Sequence, residues 1–322
     1  MDRARWTSPQ ALVTLAVLVL IGVMPFLAPA VGEPFYVDIF RRIMIWAIAA
    51  VGLNLIMGYG GMVSFGHAAY LGIGGYTVGI LSYHGIDNGF VQWPLALAVS
   101  GLAALVFGAI SLRTKGVYFI MITLAFAQMV FFLGVSADRY GSNDGLIIYS
   151  RSLFALGPAE LDLGNGRVFY YLVFAVLLAI LFLTRRLVDS RFGMVLKGTK
   201  SNEERTHAVG VPAYRYRLVA FVISGLIVGL AGILMANNEK FVSPDMMAWP
   251  LSGELIFMVV LGGMGSLFGP VIGAVTFLLL SEILSNLTEH WHIIFGPFLI
   301  LVVLYGRGGI NGFLETWSAR RA

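Results

Sequence analysis

Leu218-Val219-Ala220-Phe221-Val222-Ile223-Ser224-Gly225-Leu226-Ile227-Val228-Gly229-Leu230-Ala231-Gly232-Ile233-Leu234-Met235-Ala236 runs for nineteen residues without a charge. A helix of that length approaches the ~30 Å hydrocarbon core of a bilayer, given a rise of ~1.5 Å per residue. Arg215 and Arg217 precede the run, and Asn237-Asn238-Glu239-Lys240 follow it. It therefore has the form of a membrane span with polar ends.

The rest of the 322 residues follows the same pattern. Hydrophobic residues make up 58% and charged residues 12% of the chain, and the mean hydropathy is +0.86. Soluble domains carry roughly 25% charged residues. Half that share leaves too little polar surface to cover a water-soluble globule, so lipid is the solvent for most of the surface. The expectation is an all-α, polytopic transmembrane bundle of about ten spans. The expected spans are residues 11–31, 42–58, 66–83, 91–112 and 117–136, then 169–184 and 218–236, and finally 252–267, 270–285 and 293–305. Two polar segments interrupt them, 137–168 and 185–217.

The net charge of +4 reads as topology rather than as nucleic-acid binding. With the N-terminus inside, fifteen Lys and Arg residues fall on the inner side. These are Arg3, Arg5, Arg113, Lys115, Arg185, Arg186, Arg191, Lys197, Lys200, Arg205, Arg215, Arg217, Arg307, Arg320 and Arg321. The outer side holds six, Arg41, Arg42, Arg139, Arg151, Arg167 and Lys240. Cytoplasmic loops retain Lys and Arg, so both termini are expected in the cytoplasm. Arg41 and Arg42 fall at the outer end of the second span, where pairing with Asp38 or snorkelling would accommodate them. The N-terminal run Ala11 to Leu27 ends on Ala28-Pro29-Ala30, which imitates a cleavage site. The run is long for a signal peptide, so a first transmembrane helix is the expectation.

Two glycine-rich stretches stand out. They are Gly58-Tyr59-Gly60-Gly61-Met62-Val63-Ser64-Phe65-Gly66 and Gly262-Gly263-Met264-Gly265-Ser266-Leu267-Phe268-Gly269-Pro270. Broken backbone at membrane depth survives only where protein or a watery cavity satisfies it. Paired breaks in the two halves of a transporter point to a translocation path. Close helix packing is the plainer explanation.

Ionisable residues within spans are few. Glu254 opens the eighth span, Glu282 lies near the end of the ninth and His67 begins the third beside Ser64. An interfacial group reaching water explains each as well as a substrate contact does. No catalytic constellation emerges. The chain lacks cysteine, which removes disulfides, thiolate metal sites and cysteine nucleophiles. His290-x-His292 is a weak metal pair, and residues 193–199 lack the order of a phosphate loop. No cofactor, metal or enzymatic activity is expected, and uphill transport would draw its energy from a partner.

The segment 185–217 suggests where such a partner docks. Ser201-Asn202-Glu203-Glu204 fits a capping box, with Ser201 as the cap and Glu204 reaching back. A helix of about two turns would run from Asn202 to Val209, with Gly210 as a left-handed stop before Pro212. Lys200, Arg205, Arg215 and Arg217 flank it. An ordinary solvated loop is the alternative.

Several segments here are shared with a known family. Ser190-Arg191-Phe192-Gly193, Asn202-Glu203-Glu204-Arg205, Ala208-Val209-Gly210-Val211 and Tyr214-Arg215-Tyr216-Arg217-Leu218 occur in order, followed by Gly229-Leu230-Ala231-Gly232. Ser252-Gly253-Glu254-Leu255 and Gly269-Pro270-Val271-Ile272-Gly273-Ala274 continue the series. Gly52-Leu53-Asn54-Leu55, Ser64-Phe65-Gly66-His67, Thr123-Leu124-Ala125-Phe126-Ala127-Gln128 and Asn143-Asp144-Gly145-Leu146 extend it into the first half. In order and spacing the chain resembles the permease family of bacterial ABC importers for branched-chain amino acids, specifically the longer of its two permeases.

The resemblance implies one permease domain over residues 1–322 in the bacterial inner membrane. Its partners would be a second, non-identical permease chain, two cytoplasmic ATPase subunits and a periplasmic substrate-binding protein. Residues 185–217 would be the coupling loop, with Ser201, Glu203, Glu204, Arg205 and Gly210 as the ATPase-coupling residues. Residues 137–168 would face the periplasm. Leucine, isoleucine and valine would be the cargo. Urea permeases are closely similar, and an ion-coupled carrier or a membrane-embedded enzyme are readings from other classes. Ser64, His67, Thr123, Gln128 and Ser224 are the candidate path-lining residues. Helix–helix hydrogen bonding uses the same residue types.

Overall fold

In the structure, a computed structural model, residues 9–30, 35–156, 159–161, 163–288, 290–305, 308–310 and 312 are described. Arg3, Arg5, Arg307, Arg320 and Arg321, which contribute to the charge argument, lie outside the described residues. The helices are α1 (Pro9–Ala30), α2 (Phe35–Asn54), α3 (His67–Tyr83), α4 (Gly89–Ser111), α5 (Val117–Val135) and α6 (Gly166–Val188). They continue as α7 (Arg191–Ser201), α8 (Glu203–Ala208), α9 (Ala213–Glu239), α10 (Trp249–Gly262), α11 (Gly269–Leu287) and α12 (Trp291–Tyr305). A single π-helical turn, Leu55–Tyr59, extends α2.

Among the described residues six helices are long and apolar enough to cross a membrane. These are Phe35–Tyr59, Gly89–Ser111, Val117–Val135, Gly166–Val188, Ala213–Glu239 and Gly269–Leu287. The expected set of about ten full-length spans is thus met in full length by six. For two of the other four expected spans the cause is local. The two glycine stretches end their helices early, leaving α3 with 17 residues and α10 with 14. Fourteen residues reach only ~21 Å, short of a ~30 Å core. The expected seventh span, residues 218–236, extends in both directions to become α9, with 27 residues.

The centre of the bundle is α2. Its apolar window is 89% buried, against 28–33% for α4, α5, α6 and α11, whose outer faces carry the exposed aliphatic side chains. Helix α9 packs against α2, α3 and α4, and α10 and α11 form a hairpin against α2. Because lipid tails are as apolar as the helices, close packing and hydrogen bonds hold such helices together. The approach of α3 to α9 is closest at glycines. A Cβ added to Gly74 would lie 2.2 Å from the Gly229 carbonyl oxygen, and one added to Gly232 would lie 1.9 Å from that of Leu71.

At one end of the bundle, the described residues of 137–168 form a cap. It contains two single 3₁₀ turns, Asp138–Tyr140 and Ser142–Asp144. Strand β1 (Leu146–Ile147) is followed by β2 (Phe154–Leu156) and β3 (Ala159–Leu161), which pair antiparallel. Strand β4 (Phe241–Val242), just after α9, pairs antiparallel with β1. Asn237 fastens the cap to the bundle, since its Oδ1 accepts from the Ser152 N–H at 2.8 Å and its carbonyl accepts from Arg151 Nε at 2.9 Å. Arg41 lies inside α2, buried, and does pair with Asp38 as expected. It also donates to Asn238 and stacks 5.5 Å from the Phe169 ring centroid.

The glycine contact predicts an asymmetry. Gly232→Ala should lower stability by about 1–3 kcal/mol, the usual cost of overpacking, in thermal unfolding of the detergent-solubilised protein. Gly253→Ala, whose new Cβ meets nothing nearer than 4.0 Å, should leave the unfolding temperature unchanged.

Candidate functional site

The polar segment 185–217 holds two short helices between α6 and α9, where one was expected. Residues 191–201 already form α7, so Ser201 is its last residue and cannot cap the next helix. The cap is Asn202. Its backbone is extended, with φ −159° and ψ 108°, and its Oδ1 accepts from the Arg205 N–H at 2.8 Å. The expected Ser201 capping box is therefore shifted by one residue to an equally good N-cap type. Gly210 adopts φ +83°, as its role as a left-handed stop requires.

Glu203 fixes α8 to the bundle. Its carboxylate lies 2.7 Å from Lys115 Nζ, in the turn between α4 and α5, and 3.3 Å from Arg217 Nη1 on α9. Partial burial raises the Glu203 pKa, but the Lys115 hydrogen bond and the charges of Arg217, Lys115 and His207 outweigh it, and the net shift is downward. Glu204, Arg205 and Val209 are exposed, so α8 presents a free outer face beyond its anchor.

Inward from α8, Lys200 at the end of α7 donates from Nζ to the Gly58 carbonyl at 2.7 Å. Gly58 lies in the π-helical turn ending α2, where the last carbonyls lack intrahelical partners. Asn54, one turn earlier, bridges to the other break. Its Oδ1 accepts from the Gly265 N–H at 3.0 Å and its Nδ2 donates to the Ser266 carbonyl at 2.8 Å. The two glycine stretches pack directly on each other. A Cβ on Gly58 would lie 2.5 Å from the Gly265 nitrogen and 2.1 Å from Asn54 Oδ1. Arg217 Nε also reaches Met62 Sδ at 3.4 Å, and Lys197 Nζ lies 5.5 Å from the Tyr59 ring centroid. A continuous set of contacts therefore runs from α8 through α7 to both breaks.

The path candidates separate into two groups. Ser64, His67, Thr123 and Ser224 come together where α3, α5 and α9 meet, and all four are buried. His67 Nδ1 is 2.9 Å from Ser64 Oγ, and Nε2 is 2.9 Å from Ser224 Oγ. Ser224 donates to the Gly52 carbonyl at 2.6 Å, so it accepts from Nε2–H. Ser64 accepts from the Gly66 N–H and donates to Nδ1. A neutral His67 fits this bonding with its proton on Nε2 and Nδ1 accepting from the Ser64 hydroxyl. Thr123 accepts from the Phe65 N–H at 3.2 Å, and Ser252 from the Ala68 N–H at 2.9 Å. These side chains splice the broken segment 60–66 into its neighbours, and in this conformation their polar atoms are committed to one another. Gln128 is half-buried on α5 and does not join the network among the described residues.

Sequence reasoning missed Asn54, Lys200 and Ser252 as site residues. Asn54 carried a usable signal, being a lone amide in an apolar span four residues before Gly58, hence on the same helix face. Lys200 had none, because its partner is a backbone carbonyl 142 positions away in the sequence.

Comparison with known proteins adds an independent line. The family described as "Branched-chain amino acid transport system / permease component" matches residues 35–304. The high-affinity branched-chain amino acid transport system permease protein LivM of Salmonella typhimurium is 30% identical, covering 94% of this chain and 75% of the relative. LivM of Escherichia coli is 28% identical with the same coverage. The permease protein BraD of Pseudomonas aeruginosa is 24% identical over 83% of this chain and 91% of its own length. No solved structure matches the chain.

Two outcomes test the geometry. Ser224→Ala leaves His67 Nε2–H without an acceptor in a buried site, so it should cost about 1–3 kcal/mol in thermal unfolding, whereas Gln128→Ala should have little effect. For Glu203, the lowered pKa means that its ion pairs act fully above the ordinary carboxylate value of ~4.3 and are lost as pH falls through the lowered value. Protection of the α8 amides, measured against the intrinsic exchange rate at each pH, should therefore fall with acidification in the parent protein. In Glu203→Gln that acid-dependent loss of protection should be absent.

Proposed function

Since this chain belongs to the permease family of branched-chain amino acid transport systems, with residues 35–304 matched, we propose that it carries leucine, isoleucine and valine into the cytoplasm, driven by ATPase subunits that dock on α8. The chain is a multi-pass membrane protein of the inner membrane and a non-catalytic transport subunit. The finer arrangement is part of the proposal. Helices α1, α3, α10 and α12 complete the six long spans to ten, and both termini are cytoplasmic. The hairpin of α10 and α11 returns to the side it left, so the short α10 leaves the parity unchanged. Residues 137–168 then face the periplasm, where a binding protein delivers the amino acid. A second, non-identical permease completes the membrane part, and two ATPases bind the cytoplasmic side.

The observation that carries this reading is the line of contacts from α8 through Lys200 to Gly58 and through Asn54 to Gly265 and Ser266. A short helix cannot transmit a push unless something stiff stands behind it. Here the exposed face of α8 is backed by Glu203 and its two cations, and α7 ends in a lysine that grips the broken end of the central helix. Moving α8 would pull on Gly58. Because Gly58 and Gly265 are in contact, both breaks would respond together. Broken helices have fewer internal hydrogen bonds to lose, so they are suited to changing shape at low cost.

The test uses the assembled importer in proteoliposomes with its binding protein. Gly210→Val forces a β-branched residue into φ +83°, which only glycine adopts readily. Nothing lies within 4 Å of the new Cβ, so the effect is backbone strain on the α8 exit and not a clash. Leucine uptake per ATP hydrolysed should fall several-fold with normal expression. Lys200→Met should do the same while leaving stimulated ATP hydrolysis in place. Normal coupling in both variants would count against the docking of the motor on α8.

A further inference from the structure

At the end of the bundle opposite α8 there is a cavity of about 490 Å³, lined by α2, α9, α10 and α11. That volume lies within the ~300–1,000 Å³ of small-molecule sites. Its charged groups divide into committed and uncommitted ones. Asp38 and Arg41 are bound to each other, Arg41 also holds Asn238, and Asn238 donates to Glu239 at 3.1 Å. Among the described residues Arg42, Glu254 and Glu282 have no side-chain hydrogen bond and no ion pair within 4 Å, and only the longer-range charge of Arg42 acts on Glu254. Glu254 and Glu282 are half-buried, and Arg42 is exposed at the mouth. They come from three different helices, α2, α10 and α11, yet line one space with Ile39, Phe277 and Leu278.

We propose that this cavity is an entry site for the zwitterionic amino acid, with Arg42 receiving its α-carboxylate, Glu254 and Glu282 sharing its α-ammonium, and the apolar wall taking its side chain. The proposal rests on the transport function above, which places this end outside. The chemistry favours a zwitterion over its alternatives. Two carboxylates repel a free anion, and a free cation leaves the Arg42 guanidinium without a partner. A molecule bearing both charged groups on one carbon satisfies all three groups, and an arginine fork pairs with a carboxylate in a bidentate geometry. The aliphatic wall adds a preference for apolar side chains without a deep, closed pocket. Such a site captures weakly and releases readily, as a station on a path should.

The chain contains no cysteine, so Ser281→Cys places a single thiol in this chain on the cavity wall. The assembled importer carrying it is treated from outside with a membrane-impermeant maleimide, and labelling is scored on this chain alone. L-leucine should slow labelling about tenfold at ~10 times its dissociation constant. Neither 4-methylpentanoate, which lacks the ammonium, nor 3-methylbutylamine, which lacks the carboxylate, should protect at the same concentration. Adding Arg42→Gln or Glu254→Gln should abolish protection by leucine. The proposal is overturned if the thiol does not label, if leucine does not protect, if either analogue protects equally, or if protection survives both substitutions. ATP-driven leucine uptake by the parent importer is measured in parallel. Uptake without protection removes the cavity assignment alone, whereas failure to take up any branched-chain amino acid removes the transport reading itself.

Discussion

Backbone that leaves a helix inside a membrane must find its hydrogen bonds within the protein, and the bundle is organised around two places where that happens. The central helix α2 ends in a π-helical turn and seven residues of broken chain before α3 begins. The hairpin of α10 and α11 turns through residues 263–268. Water is not available at depth, so each break is closed by a side chain from elsewhere. Asn54 supplies both a donor and an acceptor to the second break. Lys200 supplies a donor to the first. Ser64, His67, Thr123, Ser224 and Ser252 satisfy the segment that follows. These buried polar side chains therefore serve the broken backbone or one another.

This arrangement ties the membrane core to α7 and α8 mechanically. A lysine at a helix end usually reaches water. Lys200 instead crosses to a carbonyl of the central helix, so α7 and α2 cannot move far apart without breaking a charge-assisted bond. Glu203 does the same for α8 through Lys115 and Arg217. The result is a stiff connection in a region that would otherwise be a solvated loop, joined to the least regular part of the core. Stiffness next to a deformable break is the combination that a driven conformational change needs.

At the opposite end the charges serve another purpose. Arg41 is locked among Asp38, Asn238 and Phe169, and thereby anchors α2 against α6 and α9. Its neighbour Arg42 lines the charged cavity with no such partner. Two adjacent arginines, awkward for an apolar span, thus take different roles because consecutive residues face different sides of a helix.

Much of this is legible in the residues alone. Composition by itself requires a membrane protein, because 12% charge cannot clothe a soluble surface of this size. The uncharged run at 218–236, the left-handed stop at Gly210 and the pairing of Arg41 with Asp38 are local properties, set by neighbours within a few positions. The glycine stretches are recognisable as breaks for the same reason. What they break against is not. That Gly58 touches Gly265, that Lys200 reaches Gly58, and that Arg42, Glu254 and Glu282 line one cavity depend on how α2, α7, α10 and α11 pack, across separations of more than a hundred residues. The misplaced cap at Ser201 has the same origin on a smaller scale, since whether a serine begins a helix or ends one depends on the turn before it. Sequence determined which segments are apolar, which are broken and which carry charge. Tertiary structure alone decided which broken backbone meets which donor, because in lipid that choice belongs to whichever helix packs alongside.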